Sequence, residues 1–142
     1  MTDATTTRKI GIIAAVLMTL ALTVTMVAAG NAHFVGTPSI TTSGNTATAT
    51  GKIAGLGNIS QINVVVTADA QCVNPGSKKP SADNKQAFSG NGQFPVQNGK
   101  ANFSVTLTAT LQPSCTGPMT IEWSNLHVWV YDEQNNLLLT YP

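Results

Sequence analysis

From Ala101 to Leu111 apolar and polar residues alternate one for one. Ala101, Phe103, Val105, Leu107, Ala109 and Leu111 are interleaved with Asn102, Ser104, Thr106, Thr108 and Thr110. Successive side chains of a strand point to opposite faces, so this period predicts a strand with one buried face and one wet, hydroxyl-rich face. Ile62, Val64, Val66, Ala68 and Ala70 repeat the pattern against Asn63, Thr67 and Asp69, and Val65 implies partial cover on the second face. Ala47 and Ala49 alternate with Thr46, Thr48 and Thr50, and Ile53 and Leu56 follow. Phe34 to Thr42 reads as an opening strand bent at Pro38. No segment after residue 33 carries a convincing helical period.

Turn chemistry separates these runs. Gly44-Asn45, Gly57-Asn58, Gly90-Asn91-Gly92 and Asn98-Gly99 supply the positive φ that tight turns need. Asn98-Gly99 predicts a two-residue hairpin between Phe94–Val96 and the strand that follows. Residues 74–84 form a polar loop. Met119, Ile121 and Trp123 share one parity, whereas Leu126, Val128 and Val130 share the other. A bulge or turn at Ser124-Asn125 would produce that switch. Gln134-Asn135-Asn136 then turns the chain into Leu137 to Tyr141. Seven or eight short strands at this spacing predict an all-β, antiparallel sandwich, immunoglobulin-like or fibronectin-like, spanning residues 33–142.

The first 32 residues read differently. Arg8-Lys9 precedes an uncharged apolar stretch from Ile10 to Ala29, and Gly30-Asn31-Ala32 follows. A basic start, an apolar middle and a small-x-small ending describe a secretory signal peptide cut after Ala32. The stretch is also long enough to span a bilayer as an uncleaved anchor. Cutting beside Gly11 would instead leave an apolar helix on the mature chain, as in proteins resembling type IV pilins, although the acidic residue usual near the start of such a helix is missing. Each reading places the domain outside the cytoplasm. A membrane is then met only through an uncut leader.

Cys72 and Cys115 are the only cysteines. An even number in an exported chain predicts a structural disulfide. Closing that loop removes chain entropy worth about 4 kcal/mol. No CxxC is present to suggest thiol-redox chemistry. From His33 onward Lys52, Lys78, Lys79, Lys85 and Lys100 balance Asp69, Asp83, Glu122, Asp132 and Glu133, and there is no arginine. A nucleic-acid binder needs a basic face, so that class is set aside. Lys78-Lys79 is the one local positive spot.

Cys72-Val73-Asn74-Pro75-Gly76 with Asn84-Lys85, Ala32-His33-Phe34, and Ala54-Gly55-Leu56-Gly57-Asn58 together resemble a group of small secreted proteins of actinobacteria and some archaea, which has no assigned activity. The resemblance spans most of residues 33–142. It implies export and an all-β fold, and nothing about chemistry.

The chain carries no GxSxG elbow, P-loop or GxGxxG. Asp132 and Glu133 are adjacent, so on a strand they would point to opposite faces rather than act as a pair. No catalytic residues are assigned. The leading reading is a non-enzymatic secreted or cell-envelope module for binding, adhesion or surface assembly, requiring no cofactor. Its partner would be an envelope component, a carbohydrate or a second copy. Trp129 and Tyr131 are the candidate binding residues. Trp123, Trp129, Tyr131 and Tyr141 could equally serve the core.

A second reading concerns metal. If the leader is cut after Ala32, His33 becomes the N-terminus, and its amine and ring nitrogen could chelate one ion together. His127 would supply a third nitrogen, a set that suits copper. This resembles the histidine brace of copper-binding secreted sandwiches, such as copper-chaperone-like domains and the larger lytic polysaccharide monooxygenases. The additional ligand motifs of the former and the extended loops of the latter are absent. Asn58-Ile59-Ser60 and Asn102-Phe103-Ser104 match the glycosylation acceptor pattern.

Overall fold

A computed structural model describes residues 30–76 and 84–142. Residues 1–29, most of the expected leader 1–32, and Lys78-Lys79 lie outside these. The described residues form eight strands: β1 (His33–Phe34), β2 (Ser39–Ser43), β3 (Thr46–Ala54), β4 (Gln61–Val73), β5 (Gln86–Pro95), β6 (Ala101–Thr108), β7 (Thr120–Tyr131) and β8 (Leu137–Tyr141). All pairings are antiparallel, and they make two sheets. In the first, β3 is flanked by β6 on one edge and by both β1 and β2 on the other. The second has the order β5-β4-β7-β8. No helix among the described residues is long and apolar enough to cross a membrane.

The alternation in the sequence becomes the core between the sheets. Ile62, Val64 and Val66 of β4, Val128 and Val130 of β7, and Ile53 of β3 are fully buried. Burying each such side chain contributes about 1.5–3 kcal/mol. The β3–β6 pairing sets small against large. Ala47 faces Leu107, Ala49 faces Val105, Gly51 faces Phe103, and Ile53 faces Ala101. A Cβ on Gly51 would sit 2.6 Å from the Phe103 ring, so glycine is what lets the ring lie across β3. A second, smaller cluster holds Ala70, Cys72, Ala109 and Leu111. There Cys72 at the end of β4 bonds to Cys115 in the β6–β7 connection, with Cα atoms 5.5 Å apart.

Three turns read from sequence are in place. Gly44, with φ of 54°, joins β2 to β3. Asn98 and Gly99 both have positive φ, and Gln97 and Lys100 bridge across them. Asn135, with φ of 62°, turns β7 into β8. At this last turn Asp132 accepts hydrogen bonds from the backbone N–H groups of Gln134 and Asn136 and from the Asn136 side chain.

Three local expectations need correction. Gly90-Asn91-Gly92 is no turn but the middle of β5, paired with Val64 to Val66. A Cβ on Gly90 would come 2.8 Å from Leu107, and one on Gly92 would come 2.8 Å from Phe94. The glycines clear space for side chains crossing the core. The Asn98-Gly99 turn exists, yet its two strands do not stay paired, because β5 belongs to one sheet and β6 to the other. Phe34 to Thr42 is two strands, both paired with β3. Two residues before His33 also touch the sandwich. Ala32 packs on the core, and a Cβ on Gly55 would overlap the Asn31 carbonyl.

Candidate functional site

The parity switch of β7 decides what the second sheet shows to solvent. Thr67 pairs with His127 and Asp69 with Ser124, so one β4 residue, Ala68, faces two on β7. Asn125 has φ of 50°. This is a β-bulge with its extra residue in the left-handed region, which asparagine tolerates well among non-glycine residues. The Asn125 side-chain amide donates to Asp69 Oδ2 at 2.8 Å, and Lys85 Nζ lies 3.0 Å from the same oxygen. These two contacts hold the Asp69 carboxyl below its ordinary value of 3.8.

Beyond the bulge, Leu126, Val128 and Val130 turn to the core, and His127, Trp129 and Tyr131 turn outward. The three outward rings stand on alternate residues of one strand, and all are half-buried. The His127 and Trp129 ring centroids are 6.3 Å apart, with planes inclined at 43°. On β4, Val65 lies opposite Trp129 and Asn63 opposite Tyr131. On β8, Thr140 pairs with Trp129 and Leu137 with Tyr131. Leu137 is 52% exposed. Asn91, Gln93 and Ser89 of β5 share this face through their pairing with Val65, Asn63 and Thr67. The result is an aromatic row edged by amides and hydroxyls. Asp69 and Glu122 stand on the far side of the bulge from it.

The other aromatic residues serve the core. Trp123 packs edge-on against Phe88 and donates from Nε1 to the Gly44 carbonyl at 3.3 Å. Tyr141 packs against Phe34, which also meets Phe103. Sequence alone left Trp129 and Tyr131 open between core and surface, and the signal that separates them from Trp123 is the parity switch.

The two histidines stand on strands of different sheets, His33 on β1 and His127 on β7. Phe34 points into the core, so its neighbour His33 faces out from the first sheet, paired with Ala54. His127 faces out from the second sheet, opposite Thr67 of β4. His33 Nδ1 lies 2.7 Å from the Asn31 carbonyl, a contact that exists only while Asn31 remains attached. His127 Nδ1 lies 3.2 Å from the Pro142 oxygen. Among the described residues, no three of His, Cys, Asp and Glu gather as a metal-sized cluster, although a two-histidine brace would not need one.

Asp132 and Glu133 are engaged at the β7–β8 turn. Asp132 is buried in the β7–β8 turn. Burial opposes its charge, but hydrogen bonds from the Asn136 side chain and from the Asn136 and Gln134 backbones outweigh it and keep the carboxyl below 3.8. Ser60 donates to Glu133. Comparison with family models, curated proteins and solved structures finds no match to this chain.

Proposed function

We propose that this domain is a non-enzymatic binding module of the cell envelope or extracellular space. It is an immunoglobulin-like sandwich delivered by its leader, and it binds through the outer face of the β5-β4-β7-β8 sheet. The observation that carries this reading is the row His127, Trp129 and Tyr131, which the bulge turns away from the core. Large rings outside the core cost solvation unless something covers them. The Cys72–Cys115 disulfide favours an oxidising compartment.

The chemistry of the surround selects the ligand class. Asn63, Asn91, Gln93, Ser89 and Thr140 offer both donors and acceptors without charge. A neutral glycan complements such a face, since sugar rings present C–H surfaces to aromatic rings and hydroxyls to amides. Catalysis is not part of the reading, because Asp69 and Asp132 are held as structural anions and Glu133 is bonded to Ser60.

The test is to map backbone amide shifts as soluble fragments of the source organism's envelope polysaccharide are added. Shifts centred on Val65, Trp129 and Tyr131 are expected. Saturable shifts confined to the other sheet, or none, would overturn the assignment.

A further inference from the structure

We infer that a second site, whose lining shares no residue with the aromatic row, binds an anionic group. A cleft of about 420 Å3 opens between β3, the Asn98–Gly99 turn and the start of β6. Its lining is Lys52, Pro95, Gln97, Asn98, Lys100, Ala101 and Asn102. Both lysines and all three amides can donate hydrogen bonds, and no carboxylate is among them.

Charge placement singles this cleft out. Three lysines are described, and Lys85 is paired with Asp69. The other two, Lys52 and Lys100, line this one cleft. The described side-chain carboxylates, Asp69, Glu122, Asp132 and Glu133, all belong to the other sheet or its β7–β8 turn. Among the described residues, Lys52 and Lys100 thus line a cleft that no carboxylate lines, while the side-chain carboxylates stand on β4, β7 and the β7–β8 turn. A cleft lined by one sign of charge concentrates ions of the opposite sign.

The cleft is also built on rigid backbone. Lys52 stands opposite Asn102 in the β3–β6 pair. Lys100 stands opposite Gln97, and the two exchange backbone hydrogen bonds of 2.8 and 3.0 Å. The turn between them is tied to the β3–β4 connection by the Leu56 N–H, which donates to the Gly99 carbonyl at 3.0 Å. Two lysines, one on β3 and one just before β6, therefore line one space. A carboxylate or a phosphate can accept from both at once, with amide donors beside them. Either group occurs on envelope polymers, as a uronic acid or as a phosphodiester.

This inference does not depend on the aromatic face. The experiment uses the chain expressed from Met1 and purified in the form the cell exports. Inorganic phosphate, glucuronate and glucose are titrated separately at low ionic strength, with amide resonances as the readout. The expected result is saturable movement of Lys52, Lys100 and Asn102 with phosphate, glucuronate or both, and none with glucose. Raising salt to about 0.5 M, where charges are screened within a few ångströms, should weaken it severalfold. The double variant K52Q/K100Q should abolish the movement, whereas K85Q should keep it. A response to one anion only names the polymer chemistry. Absence of saturable movement with both anions would overturn the site, as would movement that survives K52Q/K100Q in a protein with native-like spectra.

Discussion

Trp123 and Trp129 stand on the same strand with even spacing, yet they face opposite sides of the sheet. Trp123 is paired with Ala70 on the core side, and Trp129 is paired with Val65 on the outer side. The one-residue bulge at Asn125 separates the two parities. It lets a single strand supply the core on one stretch and an outward aromatic row on the next.

That bulge needs a residue that accepts positive φ. Asn125→Val places a β-branched side chain at φ of 50° and is expected to lower stability by about 1–3 kcal/mol. Asn125→Gly relieves the backbone and loses only the bond to Asp69, so it should cost less. Urea denaturation of the two variants checks the order. Equal costs would mean that the amide bond, rather than the backbone, holds the bulge.

How much of this was legible in the sequence follows from the physics of each signal. The parity change at Ser124-Asn125 and the turns at Asn98-Gly99 and Gln134–Asn136 are local, so a linear reading finds them. Gly90 and Gly92 mislead because the same residue that allows a turn also allows close packing within a strand, and only Leu107 and Phe94 across the core tell the two apart. The Lys52–Lys100 cleft and the placing of His33 and His127 on different sheets depend on which sheet each strand joins. Alternation reports a face but not a sheet.

Gly55 has φ of 73° and lies against the Asn31 carbonyl. Gly55→Ala should therefore strongly destabilise any form of the protein that retains residues 30–32. In a chain beginning at His33 the same change should cost only the left-handed penalty, about 1–2 kcal/mol. Thermal unfolding of the variant, beside its intact mass, checks this. A large cost in a chain that begins at His33 would contradict it.

Asp132 and Asp69 give stability a defined dependence on pH. Both carboxyls are held below 3.8 in the folded state, so on acidification the unfolded chain takes up protons first. The stability they contribute is full above that value and is lost as pH falls through the lower, folded values. Urea midpoints should be level from about pH 7 to about pH 5 and drop towards pH 3. Asp132→Asn should flatten part of that drop. A midpoint that falls equally in Asp132→Asn would assign the acid sensitivity elsewhere.

The Cys72–Cys115 bond closes a separation of 43 residues and ties β4 to the β6–β7 connection. Replacing both cysteines by alanine should lower stability by about 2–4 kcal/mol while leaving the aromatic face intact. Urea denaturation gives the first number and amide shifts of Trp129 and Tyr131 the second. Movement of those shifts would show that the disulfide also shapes the outer face.

The most direct test of the proposed binding face is retention on the source organism's cell envelopes, stripped of protein, comparing the native chain with W129A/Y131A. The native protein should be depleted from solution. The variant, folded by its unfolding midpoint, should bind about tenfold more weakly or less, as expected when aromatic anchors are removed. Equal depletion of the two proteins, or no depletion of either, would contradict the account.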